Sequence, residues 1–323
     1  MSDIAALVLP LFGLIFLGYL IARITRQPEA AMGWLNTFII YAALPALFFK
    51  LLSKTPIEKL ASWEFILANL FVTFSMFVLV FLIARMIRKS SVAAGTIQGL
   101  AAAYGNIGYM GPAIAILTFG EVAAVPVALI FCFENVLHFI IAPTMMAFSG
   151  EEKRSPASLI KEILKRVFFH PFIIATIIGV GAAFFNFEPP RPVEGLINYL
   201  AQAAAPCALF AMGVSLALRP LKRIPLELGY IVPANLMVHP LLMYIVMSWA
   251  GDFDPIWMYT AVLLAALPTA TNVYVLAQQY SVWIERASAS VLITTVCSIF
   301  TVSALLYAIK GGYLPPDLFP GSN

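Results

Sequence analysis

The sequence predicts an all-α membrane protein with ten transmembrane helices, arranged as two inverted repeats of five. Three observations lead to this fold class: an apolar composition, ten apolar runs long enough to cross a membrane, and two runs interrupted at matching positions. Of the 323 residues, 62% are apolar and only 11% are charged, and the mean hydropathy is +0.93. Soluble domains are about half apolar and a quarter charged, so the composition indicates a chain embedded in a lipid bilayer.

Each predicted span is an apolar run of the length that a bilayer requires, which is about 20 helical residues. The runs fall at residues 4–22, 34–52, 64–84, 95–118, 123–147, 166–186, 195–217, 228–250, 257–278 and 286–309. Short polar connections separate them. The longest connection, near residues 149–165, is too small to form a soluble domain of its own.

The distribution of basic residues predicts the orientation. With the N-terminus outside, the inside connections hold 14 of the 19 Lys and Arg residues, and the outside connections hold the remaining 5. Because basic residues accumulate in inside loops, we expect both termini outside. The small net charge of +3 lies in these loops, which gives no indication of a nucleic-acid partner.

The two halves of the chain, residues 1–161 and 162–323, match each other in four places. The pairs are Pro10 with Pro171 and Pro45 with Pro206, each 161 residues apart, and Asn69 with Asn235 and Asn106 with Asn272, each 166 apart. A unit of five spans is odd, so the second copy is inverted in the membrane. Inverted repeats with interrupted spans are typical of secondary transporters whose site lies near the membrane midplane.

Spans 4 and 9 carry the interruptions. Span 4 contains "GNIGYMGP" at residues 105–112, and span 9 contains Pro268 in "AALPTATNVYV". A proline inside a helix costs about 3 kcal/mol, and non-helical backbone at membrane depth survives only where protein or a wet cavity covers it. The pattern predicts two broken helices that cross, with the positive ends of their half-helices directed at one place. Alternatively, the three glycines of span 4 only form a helix contact.

The candidate substrate-binding residues lie in and next to the two interrupted segments. Span interiors hold no Lys or Arg except Lys50 near an end, so helix dipoles, backbone N–H groups and polar side chains would hold an anion. The candidates are Asn106, Gly108, Tyr109, Gly111, Pro112, Pro268, Thr269, Thr271, Asn272 and Tyr274. The competing interpretations are hydrogen bonds between helices for the asparagines and packing for the tyrosines.

Glu134 is the carboxylate placed deepest in a predicted span, and His138 follows four residues later on the same helical face. Ionisable residues inside a membrane are functional hypotheses by default, so the pair is a candidate for proton or ion coupling. The alternative is a structural hydrogen-bonded pair. The three cysteines are scattered and the histidines show no ligand spacing, so we expect neither a metal nor a cofactor.

Membrane enzymes and channels are the other classes to weigh. Prenyl transfer would require paired Asp-rich motifs and intramembrane proteolysis would require catalytic residues inside spans, whereas the aspartates here are terminal or in connections. Two broken helices in inverted halves favour alternating access over a channel. The sequence therefore predicts a transporter and not an enzyme.

The segments "YGNIGYMGPAIAI" and "AALPTATNVYVLAQQY", together with the early "LPALFF", resemble the crossover segments and second span of the auxin efflux carrier family. The resemblance covers the whole chain. It implies transport of a small organic anion, such as malonate, malate or an auxin-like weak acid, across the bacterial inner membrane. It also implies that Asn106 binds the carboxylate in the first crossover, and that Pro268 through Asn272 form the second.

The same resemblance implies a scaffold domain from spans 1, 2, 6 and 7 and a transport domain from spans 3–5 and 8–10. The transport domain would shift like an elevator, in a homodimer. The fold is shared with bile acid:sodium symporters, so a sodium-coupled symporter of bile acids or keto acids is the nearest alternative, and coupling to H⁺ or Na⁺ stays open. The chain lacks the long central loop of the plant members and reads "TATN" after Pro268, which disfavours auxin itself.

Overall fold

The computed structural model describes residues 2–150, 155–218 and 224–319, and within them the chain is helical without a β-strand. Five of the basic residues used to predict the orientation, Lys153, Arg154, Arg219, Lys222 and Arg223, lie outside the described residues. The first eight α-helices are α1 (Ser2–Thr25), α2 (Gly33–Phe38), α3 (Leu44–Ser53), α4 (Ile57–Leu60), α5 (Trp63–Leu82), α6 (Val92–Ala103), α7 (Gly111–Phe119) and α8 (Ala124–Phe148). The others are α9 (Pro156–Phe168), α10 (Pro171–Phe184), α11 (Arg191–Leu218), α12 (Leu228–Pro233), α13 (His239–Ala250), α14 (Pro255–Ala265), α15 (Thr271–Gln279) and α16 (Ile284–Lys310).

Short π-helical segments join some of these helices, as at Ile39–Ala43 between α2 and α3 and at Ala234–Val238 between α12 and α13. Pro45 and Pro240 lie in the first turn of the helices that follow. A proline cannot donate a backbone hydrogen bond, and it displaces the preceding turn. The π-turns therefore continue the helical path across the proline positions.

Six helical segments in the described part of the chain are long and apolar enough to cross a membrane. They are Ala30–Ser53, Ile57–Ile87, Glu121–Phe148, Arg191–Leu218, Leu228–Ala250 and Ile284–Lys310. Four shorter apolar helices also occur, at Leu9–Thr25, Val92–Ala103, Pro171–Phe184 and Pro255–Ala265. The prediction of an all-α membrane protein is confirmed, and the six long segments fall on predicted spans 2, 3, 5, 7, 8 and 10.

One predicted connection differs from the structure. Residues 156–165 of the expected connection, together with residues 166–168 of predicted span 6, form the helix α9, and the next apolar helix begins at Pro171 instead of residue 166. Ser155 starts α9, since its hydroxyl accepts a hydrogen bond from the Ser158 N–H at 3.2 Å, and Pro156 follows at the first helical position, which proline favours.

The chain divides into two compact units. Unit 1 comprises Met1–Ser62, Tyr109–Cys132 and Val167–Pro220, and unit 2 comprises Trp63–Gly108, Phe133–Arg166 and Leu221–Asn323. In unit 1, α1 and α11 pack backbone to backbone: a Cβ added at Gly18 would collide with the Phe210 carbonyl, and one added at Gly213 with that of Ile15. Small residues at such contacts let transmembrane helices approach closely.

Unit 2 is built around α5, α6, α13, α14 and α16. The core of this unit includes Met76 and Val80 of α5 and Leu100 of α6, all buried. Gly99 lets α6 lie directly on α5, because a Cβ there would approach the Phe77 carbonyl oxygen to 2.9 Å. This packing fixes the end of α6, where the first helix break begins.

Candidate functional site

Two helices are broken where the sequence predicts interruptions. α6 ends at Ala103 and α7 starts at Gly111, with Pro112 in its first turn. α14 ends at Ala265 and α15 starts at Thr271, with Pro268 between them. Each break leaves a short stretch of backbone that has no helical hydrogen bonds of its own.

The two non-helical stretches pair with each other in antiparallel fashion, at Gly105 and Thr269. The Asn106 N–H donates to the Pro268 carbonyl at 2.7 Å, and the Ala270 N–H donates to the Tyr104 carbonyl at 2.8 Å. These two hydrogen bonds satisfy backbone groups that an apolar environment would leave unpaired at a cost of several kcal/mol.

Glycine at position 105 favours the close approach of the two breaks. A Cβ at Gly105 would lie 3.3 Å from the Leu264 carbonyl oxygen and 3.5 Å from that of Leu267. The first of these contacts is tight and involves a backbone atom of α14, so a side chain at position 105 would require a shift of a few tenths of an ångström.

The last carbonyls of α6 find partners in other elements. The Thr269 hydroxyl donates to the Ala101 carbonyl at 2.6 Å, and Asn235 Nδ2 donates to the Ala102 carbonyl at 3.0 Å. The Thr269 N–H in turn donates to Thr294 Oγ1 at 3.1 Å. Helix ends leave carbonyls unpaired, and in α6 side chains from the second half of the chain satisfy two of them.

Tyr104, the first residue after α6, connects two of the surrounding polar groups. Its hydroxyl donates to Asn135 Oδ1 at 2.7 Å and accepts from Asn272 Nδ2 at 2.8 Å. Its ring stacks on the His138 imidazole, with centroids 3.8 Å apart and planes 3° apart. A side chain at the first break therefore contacts both the second break and α8.

Glu134 is buried, with 3% of its surface exposed, and its Oε1 accepts a hydrogen bond from Thr73 Oγ1 at 2.9 Å. Asn69, also on α5, lies beside the same carboxyl group. Among the described residues, the Glu134 carboxylate forms no ion pair with His138. The predicted pair thus shares a helix face, but its members have different partners.

Two histidines of unit 2 have buried ring nitrogens. His138 and His239 are each 1% exposed, they lie near each other, and neither ring of the two makes a well-aligned hydrogen bond within the described part of the chain. The backbone of Glu134 lies beside the His138 ring. No group of three or more metal-ligating side chains occurs among the described residues.

The predicted site residues fall in both units. Asn106, Gly108, Pro268, Thr269, Thr271, Asn272, Tyr274, Glu134 and His138 belong to unit 2, and Tyr109, Gly111 and Pro112 belong to unit 1. Asn106 and Thr269 are buried, whereas Asn272 is exposed. Tyr274 is half-buried, and its hydroxyl accepts from Gln278 Nε2 at 2.8 Å, one turn along α15.

Sequence reasoning missed Tyr104, Asn135 and Thr73 as members of this network. Tyr104 directly precedes "GNIGYMGP", and Asn135 directly follows Glu134, so adjacency to predicted residues was the available signal. A surface pocket of about 760 Å³ in unit 1 is lined by residues that include Thr55 and Glu194, and none of the predicted site residues lines it.

Comparison with known proteins assigns the family. The sequence pattern of the family described as "Membrane transport protein" matches residues 3–306. A protein of Rhizobium meliloti (strain 1021), named "Putative malonate transporter", is 63% identical over 320 residues, covering 99% of this chain and 100% of that protein. "Uncharacterized transporter YfdV" of Escherichia coli (strain K12) is 23% identical over 310 residues, covering 94% of this chain and 96% of that protein.

A more distant relative is the "Lysosomal cholesterol signaling protein" of Mus musculus. It is 24% identical over 323 residues, covering 91% of this chain but only 36% of that longer protein. The family match spans nearly the whole chain, and the full-length relatives named above are named as transporters and not as enzymes. The chain is therefore a membrane transporter that belongs to the auxin efflux carrier family.

Proposed function

We propose that this protein is a secondary active transporter of a small organic anion, a malonate-like mono- or dicarboxylate or an auxin-like weak acid, in the bacterial inner membrane. The observation that carries the proposal is the pairing of the two helix breaks at Gly105 and Thr269, which brings Asn106 and the start of α15 to one place. The relative that is 63% identical over its whole length is named for malonate, which supports a dicarboxylate as the substrate.

The proposed binding chemistry uses no basic side chain. The described side chains around the paired breaks are asparagine, threonine, tyrosine and histidine with one carboxylate, and they include no Lys or Arg. The first N–H groups of a helix have no intrahelical partner, and its N-terminus attracts an anion by about 0.3–1 kcal/mol, or up to about 2 kcal/mol when partly buried. In α15 these groups belong to Thr271 and Asn272, and such modest attractions allow release as well as binding.

We also propose the ten-span inverted repeat with crossing broken helices. The six long and four shorter apolar helices follow the order of the ten predicted spans. Asn69 and Asn235, which occupy matching positions in the repeats, are both buried in unit 2. The inside and outside assignment of the termini rests on the distribution of basic residues alone.

An elevator mechanism in a homodimer follows from the family resemblance. Unit 1 holds α1–α3, α10 and α11, which correspond to the predicted scaffold, and unit 2 holds α5 and α12–α16 from the predicted transport domain. The segment Tyr109–Cys132 is the exception, since it belongs to unit 1 although it lies in predicted spans 4 and 5.

Proton coupling through Glu134, with His138 nearby, is part of the proposal. An ionised carboxylate is costly when buried, and near this one are the Thr73 hydroxyl, which donates to it at 2.9 Å, and the neutral side chain of Asn69. A Glu134 that gains and loses its proton during the cycle would tie transport to the pH gradient. The alternative is a sodium-coupled symporter of bile acids or keto acids, with Glu134 as an ion ligand.

Uptake of radiolabelled malonate, malate and succinate into proteoliposomes tests the function. We expect saturable uptake of at least one dicarboxylate that increases with an imposed pH gradient and is indifferent to Na⁺. Uptake that requires Na⁺ would favour the symporter alternative. No uptake or exchange across a broad panel of mono- and dicarboxylates, by a protein that remains folded after reconstitution, would contradict the proposal.

A further inference from the structure

The helix α9, Pro156–Phe168, is amphipathic. Its apolar residues recur at the spacing of one helix face, and they are Leu159, Ile160, Ile163, Leu164, Val167 and Phe168. Ile160 is 57% exposed, Leu164 is 50% exposed and Phe168 is 58% exposed. Leu159, Ile163 and Val167 are half-buried. Since α9 packs extensively against no other described helix, the edge formed by Ile160, Leu164 and Phe168 is largely uncovered by the described part of the chain.

The opposite side of α9 is polar and basic. Lys161 and Lys165 lie one turn apart and are both exposed. The helix sequence contains three basic residues, Lys161, Lys165 and Arg166, and one acidic residue, Glu162. A short helix with an apolar stripe and a basic polar face is typical of segments that lie in the membrane interface.

The position of α9 in the chain places it at the membrane. It follows the spanning segment Glu121–Phe148 closely, and two residues separate it from α10, an apolar helix. Phe168 and Phe169 are exposed, as are Ile177 and Ile178 of α10, so exposed apolar residues also follow α9 in the sequence. A helix tied this closely to membrane helices at both ends stays near the headgroups.

We propose that α9 is an anionic-lipid binding surface: it lies in the headgroup region, with Ile160 and Leu164 in the acyl boundary and Lys161 and Lys165 against anionic headgroups. The occupant of the apolar face is therefore the bilayer. Each basic residue near an anionic membrane surface contributes about 1 kcal/mol to membrane binding. This corresponds to a change of about fivefold in the docking equilibrium. This inference is independent of the transported substrate.

The test uses the full-length protein in lipid nanodiscs. In a background with Cys132, Cys207 and Cys297 replaced, an environment-sensitive fluorophore is attached to Ile160→Cys, and in a matched control to Ser158→Cys on the polar face. We expect nitroxide-labelled lipids to quench the probe at position 160 and aqueous iodide to quench the probe at position 158. Equal access of iodide to both positions would overturn the proposal.

The anionic preference is tested with the same probe at position 160. Nanodiscs with phosphatidylglycerol should shift the docking equilibrium toward the membrane relative to pure phosphatidylcholine, and Lys161→Gln with Lys165→Gln should reduce this shift by about fivefold per lysine. An identical signal in both lipids would refute the anionic preference. Shielding of position 160 that depends on protein concentration instead of lipid would indicate a second copy of the chain and overturn the proposal.

Hydrogen–deuterium exchange of the unmodified protein provides a second measurement, in case the cysteine-free background fails to fold. Amides of α9 should exchange more slowly in phosphatidylglycerol nanodiscs than in phosphatidylcholine nanodiscs, while those of α16 should be unchanged. Equal exchange rates for the α9 amides in the two kinds of nanodisc would contradict the proposal.

Discussion

The ring of Tyr104 lies flat against the imidazole of His138, with centroids 3.8 Å apart. Through its hydroxyl the same tyrosine accepts a hydrogen bond from Asn272 at the second helix break. A single side chain therefore contacts a proposed coupling residue and a proposed substrate-binding residue.

Removing the Tyr104 hydroxyl should weaken substrate binding, because the Asn272 amide at the start of α15 loses a hydrogen bond that holds it in place. Tyr104→Phe keeps the ring stacked on His138 but deletes the bonds to Asn135 and Asn272, each worth about 0.5–1.5 kcal/mol. We expect KM for uptake to rise about 3- to 10-fold at a nearly unchanged maximal rate. Tyr199→Phe, at an exposed position on α11, is the control. An unchanged KM for Tyr104→Phe would contradict a contribution of the hydroxyl to substrate binding.

Asn106→Ala should abolish or severely weaken substrate binding while the protein still inserts and folds. The side chain of Asn106 lies at the paired breaks, and its N–H bond to Pro268 is a backbone bond that the substitution retains. Asn198→Ala, on α11, is a matched control. Ligand-induced thermal stabilisation and proteoliposome uptake measure the effect. Normal transport by Asn106→Ala would indicate that the segment "GNIGYMGP" serves only in helix packing.

Glu134→Gln should remove the dependence of uptake on the pH gradient. The amide retains an oxygen that accepts the Thr73 hydrogen bond, so the fold is expected to persist, but it cannot exchange a proton. We expect the pH profile of substrate exchange to flatten. Glu121→Gln, at an exposed position, should leave the profile intact, and a Glu134→Gln profile equal to that of the parent protein would eliminate the proton role.

The Thr269 hydroxyl should contribute to stability at the breaks. Thr269→Val has nearly the same shape but leaves the buried Ala101 carbonyl without its 2.6 Å donor, at an expected cost of about 1–3 kcal/mol. Thr269→Ser retains a hydroxyl and should therefore lose less stability than Thr269→Val. Midpoints of thermal unfolding in detergent compare the three proteins, and equal midpoints for the parent and Thr269→Val would show that this carbonyl finds another partner.

Gly213→Ala should separate α1 from α11 in unit 1. The added Cβ would collide with the Ile15 carbonyl, and overpacking typically costs about 1–3 kcal/mol. Gly195→Ala lies on the same helix with no atom within 4 Å of the added Cβ, so it should be neutral or stabilising by about 0.5–1 kcal/mol. Similar unfolding midpoints for the two variants would contradict the close backbone contact.

The sequence by itself determined that the chain enters a membrane and where two of its helices break. Hydropathy acts over about 20 consecutive residues, and the effect of Pro112 or Pro268 on a helix is confined to its own turn. Both signals are local, so they can be identified from consecutive residues in the sequence. The amphipathic pattern of α9 is equally local, but because of its charged residues the segment was predicted as a connection.

Only the tertiary structure decided which groups meet at the breaks. Thr269 and Ala101 are 168 residues apart, as are Asn272 and Tyr104, and both pairs are hydrogen-bonded. Glu134 pairs with Thr73, 61 residues away, although His138 is only one turn distant on its own helix. Such partners depend on how α5, α6, α8 and α14 pack, because a buried polar group takes whichever partner the packing presents, and sequence spacing does not encode that choice.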